Sequence, residues 1–339
     1  LTQDIQVYKN TNDSFGIIMV PSDTILDGNG HRLVMKAGYT EAPDVGVVLY
    51  VYKDGVIPST NCGVKNLSTD IPYVNSINVF SADNILIEDN TLNNATKSGI
   101  MISDEYGSTV NGIIRGNTIN NVGDDAIAVY GNHSNLLIDS NRISGAKGFA
   151  GIAISCLQNG QQIRVDNETT GPHDIIVTGN VVSGCSGEAL YCIGSYKTYI
   201  TYNTLRDSIL EGVCLDSGCI GNYFAHNEVV NNGIAGGLPG VSIDNGIYNI
   251  VDSNNVYNNS CSGIKLVRTG LGNIIVNNIC TDNAYNQMGA KSSGIDIEPL
   301  AVETENLGYI DGLGSNWNVV LNNTVTGSHD FGVFIADDD

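Results

Sequence analysis

Hydrophobic and polar positions recur along this chain with one signature: an asparagine followed two residues later by an apolar residue. Asn90, Asn117, Asn141, Asn180, Asn203, Asn227, Asn254, Asn278 and Asn323 carry it, with Leu92, Ile119, Ile143, Val182, Leu205, Val229, Val256, Cys280 and Val325 as partners. Successive asparagines lie 27, 24, 39, 23, 24, 27, 24 and 45 residues apart, and a period in that range marks a solenoid. Short β-branched runs precede them, such as Ile85 to Ile87 and Ile274 to Val276. Most are followed by a glycine that opens a period-two stretch, as in Gly99-Ile100-Met101-Ile102, Gly240-Val241-Ser242-Ile243 and Gly294-Ile295-Asp296-Ile297. Alternation without an amphipathic 3.6-residue stretch predicts strands. Leucine-rich repeats share the period, but their regular Leu-x-x-Leu-x-Leu run is missing. The pattern therefore predicts an all-β fold: a single-stranded right-handed parallel β-helix, a solenoid of roughly ten to twelve coils with two or three short strands each. Its asparagines stack as an amide ladder at one turn.

A repeat array is one continuous unit, so residues 1–339 read as a single domain. The two long intervals place insertions near 157–174 and 300–316. Neither terminus reads as a polar cap, so the chain is expected to be part of a longer protein. Hydrophobic residues make up 42% of the sequence, enough for a core, and the 40 glycines belong to turns. No apolar run is long enough to enter a membrane as a helix. A net charge of −21 opposes nucleic acid and anionic membranes. It favours a neutral glycan, or an anionic one bridged by calcium. The eight cysteines define no disulfide framework, although Cys185 with Cys192 and Cys214 with Cys219 are close enough in sequence to pair locally.

Within the glycine-led strands the middle residue points outward. Aligning consecutive coils gives one outward column of Met101, Ala128, Ala153, Tyr191, Cys214, Ser242, Lys265, Asp296 and Phe334. A second, two residues on, runs Ser103, Tyr130, Ser155, then past one coil of open register Asp216, Asp244, Val267, Glu298 and Ala336. Charge gathers in four neighbouring coils: Asp216, Asp244, Lys265, Asp296 and Glu298, with Arg268 beside them. Both insertions leave the solenoid at the end of this same strand column, where they would wall the acidic patch. Trp317, Tyr309, Tyr191 and Tyr248 are candidate platforms for sugar rings, or simply packed beneath loops.

Glycosidic cleavage needs two carboxyl groups, one protonated and one ionised. At roughly 4.8 Å per coil, Asp216 and Asp244 stand at retaining distance, and Asp244 and Glu298 near the upper end of the inverting range. The competing reading is a Lys265–Asp296 salt bridge on a solvated face with the other acids merely solubilising.

Gly123-Asp124-Asp125-Ala126-Ile127 resembles the Gly-Asp-Asp segment of polygalacturonase-type β-helix hydrolases. The family's Gly-His-Gly and Arg-x-Lys segments have no counterpart, Gly131-Asn132-His133 being a poor match. Asp124-Asp125 is better read as a turn or a calcium-binding pair. The coil pattern as a whole resembles the pectate-lyase-like superfamily, which includes polysaccharide lyases, glycoside hydrolases, inulin fructotransferases, epimerases and phage tailspike depolymerases. Gly294-Ile295-Asp296-Ile297-Glu298-Pro299 resembles a segment of its glycan-acting members, which implies catalytic roles for Asp296 and Glu298. The resemblance also implies a polysaccharide substrate, an extracellular or virion-surface location, and, by similarity to the fructotransferases, a homotrimer. Three functions follow as expectations. The first is a cofactor-free glycoside hydrolase or transglycosylase working through Asp216, Asp244, Asp296 and Glu298. The second is a calcium-dependent lyase or uronate epimerase in which Lys265 or Arg268 abstracts the proton. The third is a glycan-binding tailspike or adhesin segment with no catalysis.

Overall fold

A computed structural model of the chain describes residues 1–8, 18–39, 41–49, 51–52, 56–57, 59–105, 107–158, 161–162, 171–268, 270–285, 293–298 and 317–336. The chain winds through three short strands per coil. One coil runs Thr91–Asn93, Ile100–Ser103 and Val110–Arg115, then begins again at Thr118–Asn120. Each strand pairs in parallel with its equivalent one coil on, as Leu92 does with Ile119. Among the described residues this builds a first sheet of 12 strands, a second of 12 and a third of 11. The early segments around Asp27 and Cys62, whose register the sequence leaves open, are coils of the same array: Ile25–Asp27 pairs with Ser59–Lys65.

Alternation along each strand sends one set of side chains inward. The apolar partners of the asparagines, from Leu92 to Cys280, are all buried, and a single hydrophobic cluster extends from Val7 to Ile297. Cys185, Cys192, Cys219 and Cys280 belong to that cluster, and all eight cysteines are buried free thiols. Neither local disulfide forms. Cys214 points outward while Cys219 turns inward, and Cys192 lies near the far end of the strand Glu188–Ile193, which begins after Cys185.

The predicted amide ladder runs unbroken. Asn203 donates from Nδ2 to Asn227 Oδ1 at 3.0 Å and to the Val177 carbonyl at 2.9 Å. Its own Oδ1 accepts from the backbone N–H and the Nδ2 of Asn180, both at 2.9 Å. The same pattern links Asn90 through to Asn323. The residue before each ladder asparagine has a positive φ, for example Asp89 at 53°, Ser140 at 54° and Asn277 at 59°. A left-handed residue turns the chain sharply, and the amide satisfies the backbone groups this corner strands. Two further ladders stand at other corners, Asn222–Asn249–Asn273–Asn318 and Asn232–Asn259–Asn283. The sequence reading missed both.

Two hairpins leave the solenoid directly after second-sheet strands: Val51–Tyr52 with Val56–Ile57, and Leu157–Gln158 with Gln161–Gln162. The latter opens the insertion expected near 157–174, and the chain has rejoined the array by His173, which bridges to Ser134 and Tyr196. The expected insertion at 300–316 lies outside the described residues.

Asn203→Ala removes three donated side-chain bonds, to Val177, Thr201 and Asn227, and orphans the Asn180 donors inside the wall. It is expected to lower stability by about 3 kcal/mol, against less than about 0.5 kcal/mol for the neighbouring outward Thr204→Ala. Urea unfolding of the two variants checks this, and equal losses would remove the ladder's structural role.

Candidate functional site

The outer face of the second sheet is set by the residues that open its strands. A side chain at Gly99, Gly151 or Gly294 would stand 2.5 Å from Ile119, 2.3 Å from Val182 or 2.0 Å from Val325. Only glycine fits these inward contacts, so the register of each strand after its glycine is fixed. Cys214 pairs with Ser242, Ser242 with Lys265, Lys265 with Asp296, and Asp296 with Phe334. The first outward column is therefore the expected one. In the second, the coil of open register is filled by Ile193, which pairs with Asp216, and Asp244 pairs with Val267. Asp216 and Asp244 are thus adjacent rungs, roughly 4.8 Å apart in strand spacing.

A third outward column, which sequence reasoning missed, stands three residues before the first. Glu188 pairs with Ala150, and the Leu190–Val213 pairing sets Glu211 on the rung beside Glu188. Two acid pairs therefore flank the buried floor of Tyr191, Cys214 and Ser242. Burial pushes the Cys214 thiol well above its usual range, and the charges of Glu211, Asp216, Glu188 and Asp244 push it further. The four carboxyls form a ring around that sulfur.

Electrostatics separate the members of the ring. Burial, then the charge of Asp216, raises Asp244 to about 7, although the Arg268 guanidinium opposes the shift; Arg268 Nε stands 3.3 Å from Asp244 Oδ1. Glu188 is raised to about 7 by burial, with Glu211, Asp125 and Asp216 adding to it against its own backbone N–H. Burial likewise raises Glu211. Asp216 has both oxygens engaged: Oδ2 accepts from the Tyr191 hydroxyl at 2.6 Å and Oδ1 from the Ser217 hydroxyl at 2.7 Å. Both hydroxyls thus hold the Asp216 carboxyl in one orientation.

Asp296 and Glu298 lie two rungs beyond Asp244 in a different environment. Lys265 Nζ reaches Glu298 Oε1 at 2.8 Å and Asp296 Oδ2 at 3.7 Å. Burial opposes the lysine's charge, but Glu298 and Asp296 overcome it and hold the ammonium above the usual range. Asp296 is fully buried and raised to about 6 by that burial, with Lys265 pulling the other way. The Lys265–Asp296 salt bridge exists, yet not on the solvated face that the bland reading supposed.

A family model described as right handed beta helix region matches residues 52–170. The A-module of a mannuronan C-5 epimerase from Azotobacter vinelandii superposes with a TM-score of 0.69 at 14% identity, covering 98% of this chain and 87% of that one. The fold is the right-handed parallel β-helix. A periplasmic alginate epimerase resembles this β-helix with a TM-score of 0.57 at 15% identity, over 93% of this chain and 73% of that one. The Dettilon tailspike protein does so at 0.50 and 15%, over 84% and 61%. At such identities the likeness is one of fold. No curated protein sequence matches the chain.

On the β-helix the remaining candidates separate. Trp317 is 86% exposed and Tyr248 58% exposed; both sit at left-handed corners between the second and third sheets, open to solvent. Tyr191 does not: it is buried, edge-on to Phe149 with ring centroids 4.6 Å apart, and serves to hold Asp216. Tyr309 lies outside the described residues. Asp125 is fully buried, its Oδ1 accepting from the Ala150 N–H at 2.6 Å and its Oδ2 from the Tyr130 hydroxyl. Both oxygens of Asp125 are thus engaged by protein donors and turned away from any further ligand. His133 is a buried structural residue, accepting at Nδ1 from the Thr109 N–H at 2.8 Å.

The raised carboxyls fix a sign for the pH dependence of stability. Unfolded carboxyls release their protons near pH 4, whereas folded Asp244 and Glu188 hold theirs to about 7. Between those values the folded chain binds more protons than the unfolded one, so the contribution is present below about pH 4 and lost as pH rises towards 7. Glu188→Gln is expected to flatten the fall in melting temperature across that window and to raise the melting temperature above it. An unchanged melting profile would show that Glu188 is not held protonated.

Proposed function

We propose that this protein is a carbohydrate-active enzyme that cleaves or transfers glycosidic bonds of a polysaccharide outside the cell, with Asp244 as acid and Asp216 as nucleophile. One observation carries the reading: two carboxyls on adjacent rungs, one raised to about 7 and the other bonded by two hydroxyl donors. Their strand spacing of roughly 4.8 Å suits retention of configuration. In the first step Asp244 gives its proton to the glycosidic oxygen, the bond to the anomeric carbon breaks, and Asp216 bonds that carbon. In the second, Asp244, now a carboxylate, takes a proton from water or from an acceptor sugar hydroxyl, whose oxygen displaces Asp216. Tyr191 and Ser217 position the nucleophile. Lys265, Asp296 and Glu298 occupy the next rungs as a charge-balanced segment that bonds sugar hydroxyls. The reaction requires no cofactor.

A uronate epimerase or lyase is the second reading, favoured by the mannuronan C-5 epimerase with the same fold at a TM-score of 0.69 and by Lys265, Arg268 and Tyr191 on one face. Against it stands the acid ring, which repels a polyuronate.

A screen of neutral, cationic and uronate polysaccharides, with and without chelator, separates the two. New reducing ends or transfer products that survive chelator, and a kcat at least about 10³-fold lower in Asp244→Asn, are expected. Activity should fall as pH rises through about 7, where Asp244 loses its proton. An unsaturated product absorbing in the ultraviolet, or an epimerised polymer with no new ends, would replace this assignment with the second reading. Complete inactivity on every class would leave a binding role.

A further inference from the structure

Positive charge on this face is already committed. Lys265 pairs with Glu298 and Asp296, and Arg268 with Asp244. Among the described residues no ion pair reaches Glu188, Glu211 or Asp216. Glu188 is only 7% exposed, yet its Oε2 has no hydrogen-bond partner. A buried acceptor left open beside two further carboxyls is costly unless protonated or supplied with a donor. Carboxylates accept only, whereas a primary ammonium offers three donors and no acceptor. The ring is spread over adjacent rungs and across a strand, and it does not gather three ligands tightly enough to hold a metal ion. That spread suits a cation carried on a larger framework. Glu211, Asp216 and Asp244 are partly exposed and form the mouth, with Glu188 beneath.

Resting on the glycan reading above, we infer that the ring of Glu188, Glu211, Asp216 and Asp244 around Cys214 is a subsite for a cationic sugar, taking the protonated amino group of a 2-amino-2-deoxy glycan. An ammonium seated there supplies the missing counter-charge: it donates to Glu211 and Asp216 at the mouth, and its charge favours release of the Glu188 proton to solvent, so that the ionised Glu188 adds to the attraction. N-acetylation removes both the charge and two of the donors, so the site discriminates between deacetylated and acetylated polymers. The chain's net charge of −21 draws a polycation towards the whole molecule. The ring confines the preference to one place.

Isothermal titration of the full chain with a β-1,4-linked glucosamine hexasaccharide, its N-acetylated counterpart, calcium chloride and spermidine tests this. The amino hexasaccharide is expected to bind at least about tenfold more tightly than the acetylated one, equivalent to about 1.4 kcal/mol. Glu211→Gln should abolish that preference. Glu188→Gln, which replaces the buried member isosterically, should weaken it, and circular dichroism establishes that both variants are folded. Equal affinity for the two hexasaccharides, or tighter binding of calcium or spermidine than of the amino sugar, would overturn the inference. The two proposals fail separately. A wild type that cleaves a neutral glycan without amino preference sinks this subsite and keeps the acid pair. Tight, ring-dependent binding of the amino sugar without turnover keeps the subsite and sinks the cleavage reading.

Discussion

The amide-to-amide hydrogen bond between coils is the constraint on which everything else in this molecule rests. Each ladder asparagine closes a left-handed corner, satisfies backbone groups inside the wall and hands its oxygen to the coil before it. A slip of one residue would break two rungs at once and turn every side chain of the strand to the wrong face. The ladder thus converts a weakly specified stack of three-residue strands into an array with one register. The strand-opening glycines do the same at the opposite corner, because the core leaves no room there for a side chain.

A fixed register is what makes crowded acids sustainable. On a mobile loop, Glu188, Glu211, Asp216 and Asp244 would swing apart into water. On parallel strands their backbones cannot separate, so burial, with the neighbouring charges adding to it, raises the proton affinity of Glu188, Glu211 and Asp244 instead. Hydroxyl donors then break the symmetry between neighbours: Tyr191 and Ser217 serve Asp216, while Asp244 has the Arg268 guanidinium beside it. Two rungs on, Lys265 balances Asp296 and Glu298. One sheet face therefore carries an acid-rich segment beside a compensated one, with no change of backbone between them.

Much of this is legible in the sequence, because period and parity are local. The nine asparagines, their apolar partners and both outward columns lie where the spacing puts them. The second-corner ladder carries the same signal, Asn222 before Phe224, Asn249 before Val251 and Asn273 before Ile275, and is hidden because one series already accounts for the period. Glu188 and Glu211 escape for a physical reason. They precede Ala189 and Gly212, the corner positions where inward and outward parity resets, so alternation counted along the strand does not reach them. Tyr191 looks like an exposed platform because its outward direction is legible and its burial is not. Burial depends on what else covers the face, which no strand pattern encodes.

Stacked coils also make distance discrete. Along any outward column, two Cα positions stand at whole multiples of the rung spacing, roughly 4.8 Å, and no point substitution moves them to a value between. Moving one carboxylate to the next coil takes a pair from contact with the same sugar carbon to a gap that holds a water molecule. On such a scaffold the stereochemical outcome of glycosidic chemistry becomes a digital property. It is set by which rung carries the acid, and it can change in one step while the fold stays as it was.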